Sequence, residues 1–96
     1  MLREYELVFV ISPEVPEENV GATTEKVSQF VSNRGGNIDK VEPWGRRKLA
    51  YPINDFREGT YVLLQFKMEP KHLTDLEASL RISEDVLRYL VVRLGE

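Results

Sequence analysis

Arg46, Arg47 and Lys48 are consecutive, with Trp44-Gly45 before them and Leu49-Ala50-Tyr51-Pro52-Ile53 after. Side chains of this kind hold anions. A guanidinium is a planar fork that can donate two hydrogen bonds to one phosphate and can also stack on a ring, and Trp44 and Tyr51 supply rings on either side. The nearest carboxylates, Glu42 and Asp55, fall outside the run, so it is a positive patch on a chain of formal net charge -3. The patch could meet phosphate. It could also simply blunt the edge of a sheet, because exposed charges on an edge strand oppose edge-to-edge association.

Other chemistry has little to work with. The cysteine count is 0, which removes disulfides, thiolate nucleophiles and zinc sites of the cysteine type. His72, the one histidine, stands between Lys71 and Leu73 with no base or nucleophile signalled beside it, and reads as a solvated polar residue. The pairs Glu17-Glu18 and Glu84-Asp85 fall at starts of a helix or turn, where the helix dipole or a cap accounts for them, and neither has metal-ligand spacing. No enzyme, metal, cofactor or small-molecule substrate is expected. At 96 residues the chain is long enough for one domain, 1–96, that buries a core without staples. Its longest apolar run, Leu7 to Ile11, is far too short to span a membrane, and the Met1-Leu2-Arg3-Glu4 start lacks a signal-peptide pattern, so a soluble, intracellular protein is expected. A pI of about 5.2 argues against indiscriminate coating of nucleic acid.

The elements that must position the patch follow from periodicity. Tyr5 to Ile11 is β-rich and bounded by Pro13 and Pro16; alternation sends Tyr5, Leu7, Phe9 and Ile11 to one face and Glu4, Glu6, Val8 and Val10 to the other. A helix is predicted from Glu17 to Asn33, with Val20, Thr24, Val27, Phe30 and Val31 as its core stripe and Gly35-Gly36 as its end. The strand from Asn37 to Ile53 carries Pro43, which cannot donate to a ladder, and Gly45, which suggests a bulge, so it is expected at an edge. Its cations should splay to both sides. The loop 54–59 leads to a third strand, Thr60 to Met68, then a helix begins at Glu69-Pro70 with Leu73, Leu76 and Leu80 buried, and a last strand runs from Val86 to Leu94. The order βαββαβ implies an α+β, ferredoxin-like split sandwich, with a four-stranded antiparallel sheet and both helices on one face. Val8, Val10, Leu63, Leu90 and Val92 would then form an apolar strip on the open face.

Trp-Gly-Arg-Arg-x-Leu-Ala-Tyr-Pro-Ile at 44–53, followed by Gly59-Thr60-Tyr61-Val62-Leu63, closely resembles the signature of the S-six family of the bacterial small ribosomal subunit. Arg3-Glu4-Tyr5-Glu6-Leu7 with Ser12-Pro13 looks like that family's opening strand, and Leu80-Arg81-Ile82 through Val86-Leu87-Arg88 to Val91-Val92-Arg93 looks like its close. The resemblance implies a non-enzymatic component of the cytoplasmic small subunit that binds the central domain of small-subunit ribosomal RNA together with ribosomal protein S-eighteen. On that basis RNA contacts are expected from Arg3, Arg46, Arg47, Lys48, Arg88 and Arg93, with Tyr5 and Tyr61 as stacking candidates. The protein partner is expected on Val8, Val10, Leu63, Leu90 and Val92 and on Trp44, Leu49 and Tyr51 of the edge strand. Arg88 has an alternative in pairing with Glu4 or Glu6.

Three other readings share the element order. An acylphosphatase-like hydrolase needs a phosphate cradle after the first strand, but Pro13 and Pro16 remove donors there and Glu14 repels the ligand. An RNA-recognition motif needs stacking aromatics on the open face, where the first strand has Glu4, Glu6, Val8 and Val10. A ferredoxin-like interaction module that dimerises through its open face would explain the valines but not the cations.

Overall fold

The computed structural model describes residues 1–95; Glu96, the last residue of the expected 1–96 domain, lies outside the described residues. The chain runs β1 (Arg3–Ile11), α1 (Glu17–Asn33), β2 (Asn37–Ile53), β3 (Phe56–Met68), α2 (Pro70–Ile82) and β4 (Val86–Arg93). The strands form one antiparallel sheet in the order β2-β3-β1-β4, so β1 and β3 are central and β2 and β4 are the edges. This is the ferredoxin-like arrangement that the element order predicts.

Alternation along the central strands builds the core. Leu7, Phe9 and Ile11 of β1 and Val62, Leu64, Phe66 and Met68 of β3 are closed to solvent, and Val27 and Val31 of α1 and Leu76 and Leu80 of α2 pack on them. Both helices therefore cover the same face. Thr23, rather than Thr24, joins the buried stripe of α1. Each threonine hydroxyl donates back to the carbonyl a turn earlier, Thr23 to Asn19 and Thr24 to Val20, so neither leaves a polar group unsatisfied.

The hairpin between β2 and β3 departs from expectation. Its turn is only Asn54-Asp55, both in the left-handed region at φ 51° and 69°, where these two residue types are among the most tolerant. Residues 56–59, expected in a loop, therefore belong to β3. Because β1 stops at Ile11, opposite Thr60, the hairpin beyond that level projects past the end of the central strand. Near the tip the register jumps from Lys48 opposite Glu58 to Ile53 opposite Phe56, so Leu49 to Pro52 arch out against Arg57 alone.

Gly59 marks the base of this projection. A β-carbon there would lie 2.5 Å from Cγ1 of Val10 and 3.0 Å from the carbonyl oxygen of Ile11, closer than packing allows. The hairpin can lean against the end of β1 only because that side chain is missing. Gly59→Ala is expected to lower unfolding stability by about 1–3 kcal/mol, the usual cost of overpacking, measured as a fall in the urea midpoint at unchanged slope.

Candidate nucleic-acid interface

The bulge in β2 decides which way its charges point. In a regular strand Trp44 and Arg47 would face opposite sides, because they are an odd number of positions apart. Pairing passes from Pro43 opposite Val62 to Gly45 opposite Tyr61, so Trp44 is an inserted residue, and Gly45 supports the insertion with φ 85°. Beyond the bulge the parity is reversed. Gly45 and Arg47 pair with Tyr61 and Gly59 on the helix-free side, and Arg46 and Lys48 pair with Thr60 and Glu58 on the helix side. The cations thus splay as alternation implies.

A ring stack anchors the helix-free side. Trp44 lies parallel to Tyr61, with centroids 6.3 Å apart and planes 15° from parallel. Its Nε1 donates to Oε1 of Glu42 at 2.9 Å, and the Arg47 guanidinium sits 5.6 Å from the indole while its Nε donates to the Trp44 carbonyl. The other Glu42 oxygen pairs with Lys40 at 3.5 Å. The Trp44 bond, followed by the Lys40 charge, holds the Glu42 carboxyl below its usual range. Arg46 on the other side pairs with Glu58 at 3.4 Å, both about half exposed, a contact that contributes about 0–1 kcal/mol. Neither Glu42 nor Glu58 was singled out by sequence reasoning as a partner. The legible signal was Glu42 at two positions before Trp44; Glu58 becomes a neighbour only through the hairpin register.

Arg88 does not pair with Glu4 or Glu6. It stands opposite Val10 on β4 and donates through Nη1 to the hydroxyl of Tyr51 on β2, with its guanidinium 5.4 Å from that ring. Glu4 and Glu6 are taken by Lys67 at 3.8 Å and by Gln65 at 3.0 Å. Since β3 and β1 lie between β2 and β4, the Tyr51–Arg88 contact spans the helix-free face at its Val10 end. The expected apolar strip is accordingly interrupted. Val10 is 3% and Leu63 6% exposed, so these two are corrected from surface to interior, whereas Leu90 at 58% and Val92 at 43% stay open. Val8 and Leu49 are half-buried, and Tyr61 is half-buried beneath Trp44.

Two further candidates stand apart. Arg3 and Arg93 lie at the opposite end of the sheet, opposite Met68 and Tyr5 and hence on the helix side. Arg3 is about 23 Å along the strand from Val10. Tyr5 is a correction: it faces the helices, is 3% exposed, and packs its ring 5.7 Å from Phe66, so it offers no face for a base. Lys67, on the open face, is engaged by Asp39 at 2.8 Å; that bond raises its pKa above the ordinary lysine value.

The loop after β1 offers no phosphate cradle. The amides of Ser12, Glu14 and Val15 donate to the Asp85 carbonyl, the Ser12 hydroxyl and the Ser12 carbonyl respectively, and in the depression beside them the one cation, Lys26, is outnumbered by Glu14, Glu84 and Asp85. Among the described residues no group of His, Asp and Glu side chains could hold a metal ion, and no helix is long and apolar enough to cross a membrane.

Two outcomes test this geometry. Removing the Tyr51 hydroxyl in Tyr51→Phe should cost about 0.5–1.5 kcal/mol, and combining it with Arg88→Met should cost little more than the larger single change. Additive losses in that double-mutant cycle would show that the two residues do not interact. The second concerns acid. A carboxyl whose folded pKa is lowered contributes stability that is complete above the unfolded carboxyl range, about 4.3 for glutamate, and is lost as pH falls through the lowered folded value. The emission of Trp44, the one tryptophan, should therefore change below the ordinary glutamate range. Glu42→Gln should abolish that step.

Comparison with known proteins agrees with the fold and with the motif. The family model for ribosomal protein S6 matches residues 4–93. The chain is 43% identical to small ribosomal subunit protein bS6 of Desulforamulus reducens over 95 residues, covering 99% of this chain and 100% of that protein. It is 44% identical to bS6 of Moorella thermoacetica, covering 99% of this chain and 97% of that one. The crystal structure of 30S ribosomal protein S6 from Thermotoga maritima superposes with a TM-score of 0.91 at 38% identity, covering 97% of this chain and 88% of that chain. The family match over residues 4–93, the identity over nearly the whole length and the shared fold place this chain in the ribosomal protein S6 family.

Proposed function

We propose that this structural, non-enzymatic protein of the bacterial small ribosomal subunit binds the central domain of small-subunit ribosomal RNA cooperatively with ribosomal protein S-eighteen. The observation that carries the proposal is the projecting hairpin. It carries Arg46, Arg47 and Lys48 near its base, Arg47 on the helix-free side and Arg46 and Lys48 on the other, and through Tyr51 it meets Arg88 across the face; among the described residues no carboxylate lies within ion-pairing distance of Arg47, Lys48 or Arg88. On a chain of net charge -3, a local group of cations favours a few well-placed phosphates over general attraction to nucleic acid. Folded RNA is read chiefly through phosphate positions and shape. Arg3 and Arg93, at the far end of the sheet, belong to a second contact.

Protein S-eighteen is assigned to Leu90 and Val92 and to the edge strand around Trp44, Leu49 and Tyr51. Val10 and Leu63 are buried and add little surface to that contact. The same burial weakens self-association through the open face, since it removes the centre of the strip that such a dimer would use.

A salt series tests the proposal directly. Affinity for a fragment of the ribosomal RNA central domain should fall with salt with a slope reflecting few phosphates. It should be much tighter with protein S-eighteen than without it. Equal affinity in both settings would defeat cooperativity. Replacing Arg46 and Arg47 together with Ala should weaken the joint complex and flatten its salt slope, while changing unfolding stability by about 0.5 kcal/mol or less per site.

A further inference from the structure

Glu42 presents a contradiction to any electrostatic account of the hairpin. It is a carboxylate on the helix-free side, in the same stretch of strand as Arg47, where a negative charge repels phosphate. Yet its two oxygens have separate tasks: one accepts from the Trp44 indole at 2.9 Å and the other meets Lys40 at 3.5 Å. Trp44 in turn stacks on Tyr61 and has the Arg47 guanidinium over its ring, and Arg47 is bonded through Nε to the Trp44 main chain. Those bonds leave the terminal nitrogens of Arg47 without a partner among the described residues. The bulge at Gly45 is what brings all three side chains to one side.

We propose that Glu42 is a positioning residue: its carboxylate orients Trp44, and through Trp44 holds Arg47 ready to receive a phosphate of the RNA. The inference rests on the RNA reading above and goes beyond it by assigning a use to an acidic residue that charge counting would class as unfavourable. An exposed arginine samples many rotamers, and fixing it before the ligand arrives removes part of the ordering cost of binding. The indole supplies the surface that fixes it. Glu42 itself touches no phosphate.

The sign of one substitution separates the two views. If Glu42 acted only through its charge, Glu42→Ala would tighten RNA binding. As a positioning residue, it predicts the reverse: about 3- to 10-fold weaker affinity for the RNA fragment in the presence of protein S-eighteen, the range expected from releasing one ordered side chain. Glu42→Gln keeps an acceptor for the indole N–H and lacks the charge, so it should restore binding to the unsubstituted level or better. Fluorescence anisotropy of Trp44 in the free protein gives a readout that does not depend on RNA, and it should fall in Glu42→Ala and recover in Glu42→Gln. Urea midpoints of the variants check that folding is intact. Tighter binding by Glu42→Ala, or unaltered Trp44 anisotropy with RNA binding retained, would overturn the positioning role alone. Failure of the unsubstituted protein to bind RNA would overturn the RNA reading, and with it the purpose assigned to Glu42.

Discussion

A sheet with both helices on one side has a second face that the chain must cover or leave to a partner. In this protein the constraint is met by the length of one hairpin. β2 and β3 continue past the end of β1, the arch at Leu49 to Pro52 brings Tyr51 within reach of β4, and a hydroxyl–guanidinium contact joins the two sheet edges. The close approach of the chain at Gly59 to Val10 and the contact between Tyr51 and Arg88 both depend on that hairpin.

The contacts on this face are individually small. Exposed ion pairs and side-chain hydrogen bonds contribute about 0–1.5 kcal/mol each, whereas stability comes from the core under the helices, where Leu7, Phe9, Leu64, Phe66 and Met68 are excluded from water. That division suits a binding protein. Surface polar contacts can be exchanged for contacts with RNA or protein at little cost to the fold, and the core keeps the strands in register meanwhile. Tyr51 and Arg88 are the clearest case, each satisfied by the other in the free chain and each exposed enough to be claimed by a ligand.

Acidic and basic groups on the helix-free side are also ordered along the sheet. Lys67 pairs with both Asp39 and Glu4 at one end, and neutral Gln65 ties down Glu6 beside them, which leaves that end net acidic. Arg47 and Arg88 lie at the other end, held by aromatic rings rather than by carboxylates. An anion approaching this face thus meets net negative charge at one end and cations backed by rings at the other. A net charge of -3 conceals this separation.

The order of elements, the helix from Glu17 to Asn33, the core stripes and the edge position of the Pro43-bearing strand were all legible in the sequence, because periodicity and backbone restriction are local properties. The family words around Trp44 to Ile53 were legible too. Other features belonged to the tertiary structure. Alternation sets Tyr5 on the face of Leu7, Phe9 and Ile11, and it is buried there despite its aromatic, RNA-like character, whereas Val10 and Leu63, open by alternation, are closed, Val10 where the chain at Gly59 comes close to it. Arg88 found Tyr51, 37 positions away, in place of the nearby glutamates, and Glu42 acquired a role through an inserted residue that reverses the parity of its strand. Alternation tells which side of a strand a residue faces. What meets it there depends on register, bulges and the path of chain far away in sequence, and only the assembled sheet decides those.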